Sequence, residues 1–212
     1  MNQYLVLGST GEIGKAICIT LGEFGEVTKA PRDLPFAFDR TKTFNGVVWA
    51  QGANINDSIE HFSQATFNSV IEANVTYTLN TLDFLLGKEF ISDKSNLVIV
   101  GSIWSQISRP NKLSYSVSKS ALSGLVRSVA IDLAPRDIAI NLVSPGPLDS
   151  QMTSANLSKE MLNRIESEIP SHKLVSMANL TKTICTLVTG GLPGVTGAEI
   201  FVDGGWSISK LV

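Results

Sequence analysis

The stretch YLVLGSTGEIGKAI, residues 4–17, joins an apolar run to a glycine-rich turn and then to the start of an amphipathic segment. Gly8, Gly11 and Gly14 recur there at intervals of three. In such an arrangement, backbone N–H groups at a helix N-terminus can approach a phosphate, whose negative charge the helix dipole favours. The stretch is compatible both with a phosphate-binding loop and with an ordinary glycine-rich turn, so the rest of the chain has to decide between them.

Short apolar runs alternate with longer segments of helical periodicity along the chain. The predicted strands cover residues 4–7, 26–30, 46–50, 96–100, 138–143 and 199–203. The predicted helices cover residues 14–24, ended by Gly25, and residues 66–87 and 114–134. This alternation is typical of a parallel sheet with helices on both of its faces. We therefore predict an α/β protein with a doubly wound, Rossmann-type parallel sheet.

One segment does not fit a complete βαβ unit. Residues 31–34 alone separate the predicted strand 26–30 from the segment PFAFD, residues 35–39. A parallel strand pair needs a crossover of about a dozen residues, so no helix fits between the two. We expect residues 35–39 to form a reduced or irregular third strand.

Length and composition indicate an ordinary globular domain. The 212 residues are 43% hydrophobic and 17% charged, with a formal net charge of −2, so neither nucleic acid nor a membrane is an expected partner. No apolar run reaches the ~20 residues of a membrane span, and the first residues lack the features of a signal peptide. We expect one domain over residues 1–212, located in the cytoplasm. Cys18, Cys185, His61 and His172 lie far apart, so no metal site is expected.

Tyr115 and Lys119 in the segment SYSVSK lie four residues apart, which places both on one face of a helix. An ammonium beside a phenol favours the phenolate, so such a pair can make a tyrosine a general acid or base near neutral pH. Ser102 follows the predicted strand NLVIV, thirteen residues before Tyr115. Because strand C-termini of open α/β sheets face the ligand crevice, Ser102 is expected at the same site.

With these residues in place, the sequence resembles the short-chain dehydrogenase/reductase family over nearly its whole length, close to the 3-oxoacyl-ACP reductase-like branch. The family's serine, tyrosine and lysine fall on Ser102, Tyr115 and Lys119, and its active-site asparagine falls on Asn74 in IEANVTYTLNTL. Two further segments resemble the family's Asn-x-x-x-Pro-Gly and Thr-Gly-x-x-x-x-Val-Asp-Gly-Gly motifs: NLVSPGPLDSQM, residues 141–152, and VTGAEIFVDGG, residues 195–205.

The resemblance implies an NAD(P)-dependent oxidoreductase that transfers a hydride between nicotinamide and the carbonyl or secondary alcohol of a small-molecule substrate. Tyr115 would act as general acid or base, and Ser102 would hydrogen-bond the reacting oxygen. Lys119 would lower the pKa of Tyr115 and hold the nicotinamide ribose, and Asn74 would place a water that passes protons to the lysine. The resemblance also implies a homodimer or homotetramer, paired through the long helices after the fourth and fifth strands.

The same resemblance assigns residues to the dinucleotide. The cofactor-binding residues that it implies are Gly8, Ser9, Thr10, Gly11, Ile13, Gly14, Gly52, Pro145, Gly146, Leu148 and Ser150, together with Tyr115 and Lys119. An acid after the second strand would hold the ribose 2′-hydroxyl of NAD, whereas an arginine would accept the 2′-phosphate of NADP. Arg32 therefore favours NADP, with NAD as the alternative, and Asp39 is expected to contact the adenine.

The sequence departs from the family pattern at three points. Glu12 stands where the family has the middle glycine of Gly-x-x-x-Gly-x-Gly, and its carboxylate would repel a phosphate unless it points away. WAQG, residues 49–52, replaces Asn-Asn-Ala-Gly, which is expected to remove polar support from the central sheet. Ser150 replaces a threonine but keeps the hydroxyl.

The sequence gives less information about the substrate pocket than about the cofactor site. Residues 151–175 are expected to form a lid, with an apolar helical stripe over a pocket that has Ile103, Trp104, Leu148 and Met152 near its mouth. Two other functions fit the same residues. One is a catalytically silent, dinucleotide-binding redox sensor, and the other is an epimerase or dehydratase that uses the same cofactor and tyrosine.

Overall fold

Strands and helices alternate along the chain, of which the computed structural model describes residues 1–39, 41–150, 153 and 158–209. The strands are β1 Asn2–Leu7, β2 Gly25–Lys29, β3 Phe44–Trp49, β4 Ile91–Val100, β5 Ala139–Pro145, β6 Leu148–Asp149, β7 Val175–Ser176 and β8 Glu199–Val202. The α-helices are α1 Glu12–Leu21, α2 Gln64–Ile71, α3 Tyr77–Gly87, α4 Leu113–Leu133, α5 Lys159–Glu168 and α6 Met177–Val188. A π-helical turn, Glu72–Thr76, lies between α2 and α3.

Six strands form one parallel sheet in the order β2-β1-β3-β4-β5-β8. This sheet confirms the predicted architecture, and each of the six predicted strands overlaps one of its strands. β1 has β2 on one side and β3 on the other, so the chain changes direction across the sheet at this point. Such a switch opens a crevice at the carboxyl ends of the strands, where open α/β sheets bind ligands. β6 and β7 pair separately as a two-stranded ribbon.

Helices cover both faces of the sheet, and the strands alternate between these faces with a period of two residues. Leu5 and Leu7 of β1 belong to the hydrophobic cluster under α3 and α4, whereas Val6 between them belongs to the cluster under α1 and α6. Leu97 and Val98 of β4 repeat the pattern. Because every one of these side chains is fully buried, the strands appear in the sequence as continuous apolar runs.

Residues 35–39 form no regular strand, as the short connection before them predicted. Phe36 is buried, with its ring centroid 5.6 Å from that of Phe84 on α3. The Phe38 ring centroid lies 5.4 Å from that of Phe44 on β3. Aromatic packing therefore anchors this segment, which does not extend the edge of the sheet beyond β2.

α1 ends earlier than its periodicity predicted. It stops at Leu21 with Gly22 as C-terminal cap, so the prediction that the helix reaches residue 24 and ends at Gly25 is wrong. Gly25 begins β2, where a Cβ atom would lie 2.3 Å from the carbonyl oxygen of Asn2 on β1. The glycine is thus required by the close approach of two strands. Phe24, assigned to the apolar stripe of the helix, is 50% exposed.

Candidate active site

A cleft of about 620 Å³ lies at the carboxyl ends of β1, β2 and β3, beside the switch in strand order. Glu12 is not among the described residues that line this cleft, and it belongs to the first turn of α1. Six of the predicted cofactor-binding residues line the cleft together: Gly8, Ser9, Thr10, Gly11, Arg32 and Gly52. The structure therefore brings three features to one cavity: the glycine loop, Arg32 as the candidate 2′-phosphate-binding residue, and the end of β3.

Close backbone contacts require two glycines of the loop. Gly8 has a φ of 74°, and a Cβ atom on it would lie 2.5 Å from the backbone nitrogen of Gln51. A Cβ atom on Gly14 would lie 2.2 Å from the carbonyl oxygen of Gly8, so α1 can approach the loop this closely only with glycine at position 14. Gly11 differs, since its Cβ atom would meet the same oxygen at 3.5 Å, an ordinary contact. The loop therefore does not require a glycine at position 11, where the displaced middle glycine stands.

Polar contacts tie the end of β3 to α3. Trp49 Nε1 donates a hydrogen bond to Thr81 Oγ1 at 2.8 Å, and Gln51 Nε2 donates to Thr78 Oγ1 at 2.9 Å. Two side chains of WAQG thus form hydrogen bonds of their own, and these run to α3 rather than to a neighbouring strand. Gln51 Oε1 is buried in the cleft wall and has no hydrogen-bond partner among the described residues. This orphaned acceptor suits a ligand that carries a donor.

Ser102, Tyr115 and Lys119 meet at the carboxyl end of β4. Ser102 follows the strand, and its hydroxyl hydrogen-bonds the Tyr115 side chain. Lys119 Nζ donates to the carbonyl oxygen of Val100 at 3.1 Å and lies 5.7 Å from the centroid of the Tyr115 ring. Ser102 and Lys119 are buried and Tyr115 is partly buried, so the three groups share a site with little access to water.

Burial sets the proton affinities of this group. It raises the pKa of Tyr115 above its usual value, and the hydrogen bond from Ser102 lowers that pKa by a smaller amount. Burial also lowers the pKa of Lys119 from 10.5 to about 8. Burial therefore outweighs the groups that lower the Tyr115 pKa in this structure, in which the Lys119 ammonium faces the ring and donates to Val100. At neutral pH, Tyr115 keeps its proton and Lys119 keeps its charge.

Asn74 lies in the π-helical turn, where its side chain is held by three hydrogen bonds. Its Oδ1 accepts from the Ala53 backbone nitrogen at 2.7 Å, and its Nδ2 donates to the Ala53 carbonyl oxygen at 3.0 Å and to Ser118 Oγ at 2.8 Å. A Cβ atom on Gly52 would lie 3.0 Å from Asn74 Oδ1 and 3.5 Å from Lys119 Nζ. Gly52 thus joins the cleft to the group around Tyr115.

The predicted cofactor-binding residues Pro145, Gly146, Leu148 and Ser150 lie in the segment that runs from the end of β5 to the residue after β6. Pro145 ends β5, and the next residue, Gly146, packs so closely that its Cβ atom would lie 2.9 Å from that of Asp203. Leu148 belongs to β6, which pairs with β7. Ser150 Oγ accepts a hydrogen bond from the backbone nitrogen of Thr153 at 3.1 Å.

The β6–β7 ribbon joins the two ends of the predicted lid, residues 151–175. Within it, residues 151, 152 and 154–157 lie outside the described part of the chain, Met152 of the pocket mouth among them. The described part contains α5, which begins after its Ser158 cap. Ile169, at the end of α5, is fully buried.

Ile13 and Asp39 are not among the described residues that line the cleft. Ile13 packs against the hydrophobic cluster under α1. Asp39 is exposed, and its Oδ1 accepts hydrogen bonds from the backbone nitrogen and the hydroxyl of Thr41, both at 2.9 Å. These bonds lower the pKa of the Asp39 carboxyl and hold it in a turn of its own.

The sequence reasoning missed two residues near the site. Tyr77 lines the cleft, and burial together with the negative charge of Asp33 raises its pKa. Lys112 is only 5% exposed, with Nζ 5.5 Å from the centroid of the Tyr115 ring. The spacing of three residues between Lys112 and Tyr115 was a usable signal, whereas no local pattern pointed to Tyr77.

The described residues contain no group of three or more His, Cys, Asp or Glu side chains placed to hold a metal ion. Among their helices, none combines the length and the apolar character that crossing a membrane requires.

Comparison with known proteins shows what the chain is similar to. The profile of a family described as enoyl-(acyl carrier protein) reductase matches residues 35–207. The 3-oxoacyl-[acyl-carrier-protein] reductase FabG of Buchnera aphidicola is 28% identical over 139 residues, which cover 66% of this chain and 56% of that protein. Glucose 1-dehydrogenase 2 of Bacillus subtilis is 26% identical over 177 residues, which cover 82% of this chain and 69% of that protein. The match to the Buchnera reductase thus spans little more than half of its length.

A solved structure of a short chain dehydrogenase family protein from Francisella tularensis has the same fold. It superposes with a TM-score of 0.85 and covers 99% of this chain and 100% of its own, at 22% identity. At this identity the likeness concerns the fold alone.

Proposed function

This chain belongs to the short-chain dehydrogenase/reductase family of oxidoreductases, and on that premise we propose that it transfers a hydride between a nicotinamide dinucleotide and a carbonyl or secondary alcohol. The observation that carries the proposal is the meeting of Ser102, Tyr115 and Lys119 beside Gly52, which lines the cleft. A proton-donating group therefore adjoins a cavity whose volume is in the range of small-molecule sites.

The residues around the cleft fit a dinucleotide. The glycines at 8 and 14 allow the loop to pack closely against Gln51 and α1, and Gln51 Oε1 is a buried acceptor that lacks a partner among the described residues. Residues 8–11 would hold the pyrophosphate at the N-terminus of α1, and residues 145–150 would hold the nicotinamide end. Arg32 is exposed at the rim of the cleft and would accept a 2′-phosphate, so we propose NADP as the preferred form. When bound, the nicotinamide supplies or accepts the hydride.

The chain's own residues would manage the proton. Tyr115 is protonated at neutral pH because burial raises its pKa, and in the reductive direction it donates this proton to the carbonyl oxygen. Ser102 hydrogen-bonds the same oxygen and stabilises the charge that develops there. Lys119 holds the ribose hydroxyls, and Asn74 Oδ1, which has a second acceptor position, places a water that returns a proton towards Lys119. In the oxidative direction, Tyr115 would act as the base in its deprotonated form, which burial disfavours at neutral pH.

Nucleotide titration followed by a carbonyl panel tests the proposal. Wild type and Tyr115→Phe are titrated with NADPH and NADH by nicotinamide fluorescence, and both are then assayed for nucleotide oxidation with aldehydes and ketones. We expect both proteins to bind NADPH more tightly than NADH, and turnover to fall by about a hundredfold or more in Tyr115→Phe. Tight binding without turnover in wild type would favour a silent sensor, and absence of binding at millimolar nucleotide would refute the proposal.

A further inference from the structure

A buried lysine outside the proposed proton pathway lies beside Tyr115. Lys112 immediately precedes α4, at its N-cap position, and is 5% exposed. Its Nζ donates hydrogen bonds to Asn54 Oδ1 and Asn56 Oδ1, both at 2.7 Å. These amide oxygens are neutral acceptors, so they solvate the ammonium without neutralising its charge.

Lys112 forms no direct salt bridge in the described part of the chain. The charge of Asp57 favours the Lys112 ammonium, but the Asp57 carboxylate accepts its hydrogen bonds from the backbone nitrogen and the hydroxyl of Ser114. A buried charge without a salt-bridge partner is costly, and an ammonium has three donors, of which two are used here. The third donor forms no hydrogen bond with the described residues.

The position of this charge connects it to the reacting oxygen. Lys112 Nζ lies 5.5 Å from the centroid of the Tyr115 ring, and Lys119 Nζ lies 5.7 Å from the same centroid. Arg109 adds a third cation, with its guanidinium 5.6 Å from the ring centroid of Trp104, whose backbone nitrogen donates to Ser102 Oγ. Arg109 is exposed, whereas Lys112 is buried. Positive charge therefore extends from the surface to Tyr115.

We propose that Lys112 binds a carboxylate of the substrate, so that the enzyme acts on oxo-acids or the corresponding hydroxy-acids. One remaining donor at a buried position suits a monoanionic carboxylate better than a phosphate, which has more acceptor oxygens to satisfy. Arg109 would attract the anion at the entrance. The proposal rests on the oxidoreductase function proposed above, since it names the substrate class of that same site.

Kinetics on matched acids and esters test the proposal. Short oxo-acids with the ketone at the second, third, fourth or fifth carbon are each compared with their methyl esters in NADPH-dependent reduction. We expect wild type to prefer at least one acid over its ester by about tenfold or more in kcat/KM, as a charge-assisted hydrogen bond would give. In Lys112→Met this preference should disappear, whereas the exposed Lys182→Met should retain it.

The acid-to-ester ratio is measured within one protein, so a general loss of activity does not change it. Equal use of acids and esters by wild type, or an unchanged preference in Lys112→Met, would overturn the proposal. If wild type turns over no carbonyl, the oxidoreductase proposal fails. Calorimetry with butyrate and butyramide, with and without NADPH, then tests separately whether Lys112 binds a carboxylate. Preferential butyrate binding that is lost in Lys112→Met supports the carboxylate site, and its absence in wild type refutes it.

Discussion

At the scale of single residues, local spacing predicted the residues around Tyr115, but not those whose partners are distant in sequence. Tyr115 and Lys119 share a helix face because they lie four residues apart. The hydrogen-bond partners of Gln51 and Lys112 lie 27 and up to 58 residues away. Such contacts exist only once the sheet has brought β3 next to α3 and α4, so the hydrogen-bond partners of Gln51 and Lys112 could not be predicted from local pattern.

The pH dependence of activity should report the buried lysine. Burial lowers the pKa of Lys119 from 10.5 to about 8, so its ammonium loses the proton as pH rises through that value. We expect kcat/KM for carbonyl reduction to be highest below about pH 8 and to decline above it, because kcat/KM reports groups of the free enzyme. Lys119→Met should lack this alkaline decline. A wild-type profile that stays flat up to pH 9.5 would contradict the assignment.

At the scale of elements, two local irregularities shape the site. The loop between β1 and α1 brings Gly8 and Gly14 into van der Waals conflict with any added Cβ atom. The π-helical turn between α2 and α3 carries Asn74, whose amide bonds to Ala53 and Ser118. The sequence predicted the glycine loop from its spacing, but it predicted one regular helix over residues 66–87, because periodicity does not distinguish a single π turn.

Alanine at the two helix-side glycines of the loop should have different effects. In Gly14→Ala the Cβ atom would lie 2.2 Å from the carbonyl oxygen of Gly8, so α1 must move; we expect a loss of about 1–3 kcal/mol in stability and weaker NADPH binding. Gly11→Ala meets only a 3.5 Å contact and should change stability by less than about 1 kcal/mol. Urea unfolding measures the stability of each variant, and nucleotide titration measures its affinity for NADPH. Equal effects of the two substitutions would disagree with the loop geometry.

The π-helical turn should depend on the Asn74 amide. Removal of this side chain in Asn74→Ala takes away both hydrogen bonds of the Ala53 backbone and one of the two of Ser118 Oγ, which should cost about 1–3 kcal/mol in the free energy of unfolding. Asn80→Ala, at an exposed position of α3, serves as the matched control and should stay within about 0.5 kcal/mol of wild type. Similar losses in both variants, measured by urea unfolding, would show that Asn74 has no special structural role.

At the scale of the whole molecule, the alternation of apolar strands and amphipathic helices was sufficient to predict the parallel sheet. Contacts between distant strands and packing of loops were not predictable in the same way. Gly25, for example, was predicted to end a helix. The structure requires a glycine there because β2 approaches Asn2 of β1 closely, and a contact between two strands is not visible in the local sequence. The β6–β7 ribbon was not predicted, because two-residue strands carry no periodic signal.

The exposed apolar face of α4 should take part in self-association. Val117, Gly124 and Ile131 recur every seven residues and therefore share one face of α4, on which Ile131 is 75% exposed. We expect the wild type to be a dimer or tetramer by light scattering, and Ile131→Glu to shift it towards a monomer. Ile19→Glu on α1, at an equally exposed position, should leave the assembly unchanged. A monomeric wild type, or equal effects of both substitutions, would contradict this expectation.

Isotope transfer tests the central claim, which is hydride transfer assisted by Tyr115, most directly. Wild type is given NADPH deuterated at both C4 positions of the nicotinamide together with a ketone that it reduces, and the alcohol is analysed by mass spectrometry. We expect a single deuterium on the carbinol carbon, and kcat/KM for the same reaction lower by about a hundredfold or more in Tyr115→Phe. An alcohol without deuterium, or a Tyr115→Phe variant as active as the wild type, would contradict the claim.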